Sequence, residues 1–218
     1  CLLLFVDDAT SEVLAAEFVD HESYFAYARL CKSYFRTTGL PVAFYSDKFS
    51  VFRVNAKSSM HKEGITQFNR ALNSLGIELI CANSPQAKGR VERANQTFQD
   101  RLVKELRLRN ISTYQQANDY LPEFIHSYNH KFAVLPRSTI DAHMPLDPSY
   151  DLDFFFSIHD VRVISKDLQI QFNNVTYQII TTRPARYLAK REALILQDDT
   201  GSVSAYLNHQ PLTLKVFH

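Results

Sequence analysis

An α/β fold with a mixed sheet and flanking helices, followed by a small antiparallel β-barrel, is the fold class that the sequence predicts. Short apolar runs alternate with segments of helical period through residue 132, whereas only short strand-like runs follow residue 158. The length of 218 residues also exceeds that of a usual single domain. We therefore divide the chain into a core at residues 1–132, a linker at 133–157 and a barrel at 158–218.

The first elements are a hairpin and a helix. The apolar run Leu2–Val6 is followed by the turn-prone residues 7–11 and by a second apolar run at 13–19, which predicts two antiparallel strands. Ser23 is a suitable N-cap for a helix that continues to residue 38, and Gly39 is placed to end it.

A buried parallel strand is predicted next. Residues 42–45 are apolar without polar alternation, which is typical of a strand covered on both faces, and Asp47 follows at its carboxyl end. Residues 65–75 have helical period and end at Gly76, and residues 77–82 form a further buried strand.

Two helices complete the predicted core. The longer one covers residues 89–108, and its buried stripe consists of Val91, Ala94, Phe98, Leu102 and Leu106. Ser112 or Thr113 caps the other, which continues through Tyr128 and can bend at Pro122.

Residues 132–150 contain three prolines and no sustained period, so we interpret them as a strap. Turn signals then separate six short strands, at residues 161–165, 168–172, 175–180, 193–197, 202–207 and 212–216.

Composition excludes several classes of protein. A hydrophobic content of 45% with 22% charged residues excludes a disordered chain, and the apolar run at the start is far too short for a membrane span. Three cysteines without close pairing suit a reducing compartment, so we expect a cytoplasmic protein without a membrane partner. His126 and His130 are four residues apart, but without a third ligand nearby we interpret them as solvated or half-buried histidines.

Charge is concentrated in one segment. Residues 48–109 carry 12 basic and 5 acidic side chains, while the net charge of the whole chain is +1. The excess fits a surface that binds a polyanion, although solvated helix faces can carry a similar excess.

The candidate site combines two carboxylates with a basic surround. Asp47 follows one buried strand, and Glu92 opens the helix after the next, so both should lie beyond the same edge of the sheet. Carboxylates suit Mg²⁺ or Mn²⁺, and a pair of such metals can catalyse phosphodiester chemistry. The alternative from the pattern alone is a simple turn at Asp47 and a solvated helix face around Glu92. The predicted contacts to phosphates and backbone are Lys48, Arg53, Lys57, Lys88, Arg90, Arg93, Asn95 and Gln96.

A sequence motif favours the metal site over the simple turn and the solvated helix face. Residues 85–95, PQAKGRVERAN, resemble the signature of retroviral-integrase-type DDE recombinases, in which the position of Glu92 is the third metal-binding carboxylate. Ser46-Asp47 resembles the motif of the second carboxylate, and residues 3–11 resemble the second strand and turn of the same domain. The likeness is greatest to bacterial insertion-sequence transposases, which carry a small C-terminal barrel.

The resemblance implies a ribonuclease-H-like core and a two-metal site of Mg²⁺ or Mn²⁺ held by Asp47 and Glu92. It also implies that the partner is DNA, both transposon ends and target, and that the protein forms a homo-multimer. The expected location is the bacterial cytoplasm, in association with the nucleoid. The reaction would be phosphodiester hydrolysis followed by strand transfer.

The sequence departs from the family pattern in two places. Residues 53–64 are an insertion between the two carboxylates, which we expect to form a mobile basic loop. In addition, two strand-like runs precede the first helix where the family has three, and the first catalytic Asp lies on the first of those three. Asp7 is a candidate for that carboxylate, but its turn matches the wrong end of the second strand. We therefore expect a chain that begins after the first strand, with a gap in the sheet and impaired catalysis.

Two other functions remain open. One is a ribonuclease-H-like nuclease that only hydrolyses. The other is a non-catalytic DNA-binding or assembly fragment of a decayed transposase.

Overall fold

The structure is a computed structural model that describes residues 1–46, 66–81 and 89–217, with Cys81 described by its backbone alone. The chain divides into two compact units, Cys1–Tyr150 and Asp151–His218. The first is mixed α/β, and the second is mainly one antiparallel sheet, which confirms the coarse fold class. The division falls inside the predicted linker, whose boundaries stay a prediction.

The strands of the first unit pair two by two. Strand β1 (Leu2–Val6) runs antiparallel to β2 (Val13–Phe18). Strand β3 (Ala43–Ser46) runs parallel to β4 (Glu78–Cys81), so that both end at the same edge. The parallel pairing agrees with the lack of polar alternation in these runs. The predicted burial of β3 on both faces is wrong for the described residues, because Val42 is 58% and Tyr45 56% exposed.

The two pairs are separate sheets. Within the described ranges no backbone ladder joins β1 to β3, which agrees with the gap in the mixed sheet that the sequence predicts. Side chains connect the pairs instead, because the rings of Phe5 and Phe44 lie 5.1 Å apart and Tyr34 contacts both. Aromatic packing is not directional enough to replace a ladder of hydrogen bonds, so the facing edges of β1 and β3 remain without strand partners in this part of the chain.

Helix α1 (Tyr24–Thr38) begins and ends at the predicted residues. The Ser23 side chain accepts a hydrogen bond from the Ala26 amide at 3.2 Å, and the Gly39 amide donates to the Phe35 carbonyl at 3.1 Å. Cys31 and Phe35 are fully buried. The caps satisfy backbone groups that a helix leaves unpaired at its two ends, which explains why the element stops where it does.

Gly39 also fixes the strap to the core. Its φ of +105° disfavours side chains, and a Cβ there would lie 2.6 Å from the Met144 carbonyl oxygen. The backbones of Leu40 and Met144 exchange two hydrogen bonds, at 2.8 and 2.9 Å. The absence of a side chain at residue 39 therefore lets the strap approach α1 this closely.

Helix α2 (Gln67–Ser74) starts two residues later than predicted. The Thr66 side chain caps it by accepting from the Asn69 amide, and it buries Phe68 and Leu72.

The predicted long helix is continuous but not uniformly α-helical. It consists of α3 (Gly89–Thr97), a π-helical segment (Phe98–Leu102) and α4 (Val103–Leu108). Its buried residues, Ala94, Phe98 and Leu102, recur every four positions. In an α-helix such a row drifts by roughly 40° per step, and the wider π turn removes part of that drift. The prediction of a buried Val91 is wrong, because its side chain is 37% exposed at the start of the row.

Helix α5 (Tyr114–Phe132) covers the free edge of β2 through two asparagines. The Asn129 amide accepts from the Val13 N–H at 2.8 Å and donates to the Val13 carbonyl at 2.9 Å. Asn118 does the same to Phe18, at 2.7 and 3.0 Å. The eleven residues from Asn118 to Asn129 span about 16.5 Å along the helix, and the five residues from Val13 to Phe18 span the same length of strand. The distance between the two amides therefore matches the distance between the two strand residues that they bind. Pro122 lies inside this helix without ending it.

The second unit begins with a short helix that the sequence analysis missed, α6 (Leu152–Phe155), which Asp151 caps. Its six strands form an antiparallel sheet in the order β5-β8-β9-β10-β7-β6. Their bounds are Ile158–Val163 for β5, Gln169–Phe172 for β6, Val175–Ile180 for β7, Glu192–Gln197 for β8, Val203–Leu207 for β9 and Gln210–Val216 for β10.

The inner face of this sheet forms the core of the second unit. Ile164, Ile170, Ile195 and Ala205 are almost completely buried together. The predicted start of β5 at Val161 is wrong, because His159 and Asp160 already pair with β8 despite their polar side chains. Among the helices that the structure describes, none is long and apolar enough to cross a membrane.

Replacement of Asn129 by Ala tests the edge closure. It removes both partners of the Val13 backbone, so we expect the first unit to lose about 1–3 kcal/mol of unfolding free energy and the Val13 amide to exchange faster with solvent. Denaturant unfolding and native-state hydrogen exchange measure the two effects. Ser127→Ala, at an exposed position of the same helix, is the control. Unchanged protection of Val13 in the Asn129 variant would contradict the assignment.

Candidate catalytic and nucleic-acid site

The parallel pair β3–β4 creates the edge at which the candidate site is expected. Ser46 and Cys81 are opposite each other as the last residues of these strands. Asp47 follows Ser46 directly, but it lies outside the described residues, as do Lys48, Arg53, Lys57 and Lys88. Their predicted roles therefore stay predictions. What the structure establishes is that both strands deliver the chain to one edge.

Glu92 lies in the first turn of α3. Its side chain is exposed and has no hydrogen-bond or ion-pair partner among the described residues. A carboxylate is favourable at this position, because the unpaired amides of the first turn carry partial positive charge. The carboxylate of Glu92 is thus accessible from solvent and unpaired among the described residues.

The buried side of α3 fixes the direction of Glu92. Phe98 packs edge-on against Phe124 and Tyr128 of α5, with ring centroids 5.0 and 5.1 Å apart. Because Ala94 and Phe98 face α5, residues 92, 96 and 99 lie on the exposed side of the same helix. The exposed carboxylate of Glu92 and the exposed amides of Gln96 and Gln99 therefore share a face of the helix.

Arg90 has a structural partner. Its Nη1 lies 3.4 Å from the Asp8 carboxylate, which connects the first turn of α3 to the turn after β1. The Arg90 side chain is 38% exposed and the Asp8 side chain 74%, so the pair contributes modestly to stability and mainly restrains geometry. This ion pair does not test the predicted contact of Arg90 with DNA, which stays a prediction.

Arg93 and Gln96 are exposed, and Asn95 is half-buried. The Arg93 Nε donates to the Gly89 carbonyl at 2.9 Å. Burial raises the pKa of the Tyr128 phenol, and the nearby positive charge of Arg93 opposes that rise. Arg93 therefore lies along α3 near α5, with part of its guanidinium open to solvent.

Asp7 has a role within its own turn. Its Oδ1 accepts hydrogen bonds from the amides of Ala9 and Thr10, at 2.9 and 2.6 Å, and from the Thr10 hydroxyl at 2.9 Å. This is the pattern of an aspartate that closes a turn by replacing backbone partners. The geometry favours the turn over the catalytic alternative for Asp7.

Among the described residues, no three His, Cys, Asp or Glu side chains are arranged to hold a metal ion. His126 and His130 are both exposed on α5. Cys31 is completely buried, and that burial raises the pKa of its thiol well above the usual value. Since the thiolate is the reactive form, Cys31 is a packing residue.

A further polar cluster could not be found from sequence. The Tyr34 hydroxyl contacts Nε2 of His143, and Nδ1 of His143 lies 2.7 Å from the Asp141 carboxylate. Burial raises the pKa of the Tyr34 phenol, and the charges of Asp7 and Asp141 add to that rise. The cluster holds the strap against α1. Tyr34 is 109 residues from His143 in sequence, and no motif marks the cluster.

The turn role of Asp7 predicts different outcomes for two substitutions. Asp7→Ala removes all three acceptor bonds and should lower the unfolding free energy by about 1–2 kcal/mol, as loss of a side-chain cap does. Asp7→Asn retains a carbonyl acceptor and should remain near wild type in denaturant unfolding. Binding of Mn²⁺ should be unchanged in Asp7→Asn. Loss of Mn²⁺ binding in that variant with normal stability would instead identify Asp7 as a metal ligand.

Known proteins of similar sequence carry the name of the class that the motif predicts. No family model matches the chain. Over 150 residues, 69% of its length, the chain is 51% identical to the presumed transposase y4bF of Sinorhizobium fredii, of which the match covers 33%. Over its whole length it is 33% identical to the transposase for insertion sequence IS1202 of Streptococcus pneumoniae, of which the match covers 46%.

The chain thus spans less than half the length of either relative. Both relatives carry the name of the class that residues 85–95 predict. These similarities confirm the predicted resemblance: the chain is a homologue of bacterial insertion-sequence transposases.

Proposed function

We propose that this chain takes part in DNA transposition as a DDE recombinase, by metal-dependent phosphodiester hydrolysis and strand transfer. The observation that carries the proposal is the position of Glu92. Within a motif of recombinase type, this carboxylate stands exposed and without a described partner in the first turn of a helix.

Asp47 and Glu92 would hold Mg²⁺ or Mn²⁺. The donor set fits hard divalent cations, which prefer carboxylate oxygens. When bound, such a metal pair activates the attacking hydroxyl and stabilises the leaving oxygen of the phosphodiester. In this proposal the chain presents Glu92 on a helix held by Phe98, and Asp47 follows Ser46 at the carboxyl end of β3.

DNA would lie along the exposed face of α3. Arg93 and Gln96 are open to solvent there, and together they offer one charged and one neutral donor to backbone oxygens. Lys48, Arg53, Lys57, Lys88, Arg90 and Asn95 remain further proposed contacts. The excess of basic residues over residues 48–109 supports a phosphate-binding surface in this region.

A ribonuclease-H-like core is the fold that best accommodates these roles. In its strand order, one strand lies between the antiparallel and the parallel pair, so that three carboxylates converge. The separate pairs β1–β2 and β3–β4 have the directions that such an order requires. Because two transposon ends must be cut and joined together, we propose a homo-multimer that acts on the bacterial nucleoid in the cytoplasm.

A strand-transfer assay tests the proposal. The chain is incubated with a short duplex carrying a pre-cut 3′ end, a supercoiled plasmid and Mg²⁺ or Mn²⁺. We expect weak joined product, since the sequence assigns two of three carboxylates, and we expect Glu92→Gln to lower it at least a hundredfold. Glu105→Gln is the control, because it removes the same charge from a half-buried position of the same continuous helix, where the carboxylate lies 3.8 Å from Arg109.

The three candidate functions give different products. Joined DNA that depends on Glu92 supports the recombinase. Nicked plasmid without joined DNA favours the ribonuclease-H-like nuclease. DNA binding without any product, unchanged by Glu92→Gln, favours the non-catalytic assembly fragment and contradicts the proposal.

A further inference from the structure

The ion pair between Arg90 and Asp8 is a loose one. The Arg90 Nη1 atom lies 3.4 Å from the Asp8 carboxylate, and although it is buried it has no hydrogen-bond acceptor among the described residues. In a tighter pair of the same unit, the Arg29 Nε donates to the Glu17 carboxylate at 2.8 Å. Arg90 is therefore held by charge without a hydrogen bond, and its guanidinium keeps unused donors.

Asp8 belongs to a turn that other groups hold in place. Beyond the hydrogen bonds to the Asp7 side chain, the Asp7 amide donates to the Glu12 carbonyl at 2.8 Å, and the Val134 amide donates to the Thr10 carbonyl at 2.8 Å. The Asp8 carboxylate takes no part in these hydrogen bonds, and its side chain is 74% exposed. The turn thus presents this carboxylate on a fixed backbone and does not use it for its own structure.

The turn brings negative charge to the start of a basic segment. Residues 7–12 contain three carboxylates and no cation, whereas residues 48–109 carry 12 basic and 5 acidic side chains. A carboxylate beside a phosphate-binding surface repels the polyanion and occupies a cation that would otherwise attract it. Asp8 therefore lowers the DNA affinity that Arg90 would supply without it.

A phosphodiester can take the place of the Asp8 carboxylate. Both groups present two oxygens to a guanidinium, whose planar array of donors fits either of them. An exposed ion pair is weak, so exchange of one anion for the other costs little. The Arg90 side chain is 38% exposed, which leaves it within reach of a phosphate from solvent.

We propose that Asp8 is a positioning residue that competes with DNA phosphates for Arg90. Without DNA, Asp8 holds the Arg90 guanidinium at the turn, and a phosphate that replaces the carboxylate frees the start of α3 from that turn. Because Arg90 lies two residues before Glu92, the exchange takes place beside the candidate metal ligand. The inference rests on the proposed action on DNA. It favours DNA that places a phosphate at Arg90, since other DNA meets the repulsion of Asp8 without displacing it.

Fluorescence anisotropy with the full chain and a labelled blunt hairpin duplex, titrated over a range of KCl concentrations, tests the competition. We expect Asp8→Asn to tighten binding about threefold at low salt, the scale of one exposed ion pair, and to steepen the salt slope by about 0.9, the value for one further neutralised phosphate. The midpoint of denaturant unfolding should stay near that of the wild type. A purely structural role of Asp8 predicts equal or weaker binding instead, and that result would overturn the proposal.

A double-mutant cycle separates competition for Arg90 from general repulsion of DNA. Arg90→Gln alone should weaken binding and flatten the salt slope. In the Arg90→Gln background, Asp8→Asn should leave the affinity nearly unchanged, because the two residues act through one contact. Tightening as large in that background as in the wild type would show repulsion alone and refute the competition.

Two further variants serve as controls. Asp8→Glu keeps the charge and should retain the wild-type affinity and salt slope. Asp20→Asn removes the same charge from an exposed position after β2, at the opposite end of the hairpin. Six strand residues span roughly 20 Å, about twice the screening length in 0.1 M salt, so this variant should change neither value. Equal tightening by Asp20→Asn would assign the effect to net charge and contradict the role of Asp8.

Failure of this inference is distinguishable from failure of the proposed function. If Arg90→Gln weakens binding but Asp8→Asn does not tighten it, the competition is refuted and the proposed DNA surface stands. If Asp8→Asn tightens binding through Arg90 while no joined product depends on Glu92, the competition stands and the proposed catalysis fails. Absence of DNA binding by the wild-type chain would overturn both.

Discussion

The core depends on the hydrogen bonds that two asparagines of α5 make to the edge of β2. A strand edge that is covered by a helix must have its backbone donors and acceptors satisfied, and a helix has no free backbone groups to offer along its side. Asn118 and Asn129 supply amide groups that act as a substitute strand. This fixes both the distance and the direction of α5 relative to β2.

The position of the candidate catalytic side chain follows from that constraint. Once α5 is fixed, Phe124 and Tyr128 present a surface on which Phe98 packs. The row of buried residues on α3 and its π-helical continuation then faces α5, and Glu92 is left on the opposite, exposed side. The pair between Arg90 and Asp8 restrains the start of α3 near the turn that Asp7 closes. Residues far from any catalytic motif thus determine where the carboxylate points.

Much of this architecture could be predicted from sequence, and the reasons are local. Ser23 and Gly39 bound α1 because caps act on adjacent backbone groups, and the lack of polar alternation before Ser46 predicted a parallel strand. Asn129 could not be recognised, since an amide that pairs with a strand 116 residues away is indistinguishable in sequence from a solvated one. The four-residue spacing of Ala94, Phe98 and Leu102 was visible, but its meaning, a π-helical turn, depends on the tertiary surface that the row must follow.

The candidate site was predictable to the extent that a motif carries it. Residues 85–95 single out Glu92 as a candidate, which stays a prediction, whereas the pairing of Arg90 with Asp8 required the folded chain. Single residues whose role depends on distant partners therefore escape pattern analysis, and residues with adjacent partners do not.

The central claim is that Asp47 and Glu92 share a metal site, and an anomalous-difference map tests it most directly. Crystals of the wild-type chain and of Glu92→Gln would be soaked in Mn²⁺ under identical conditions. The account predicts a peak between the two carboxylates in the wild type that disappears in the variant. No peak in the wild type, with the two carboxylates well apart, would contradict it.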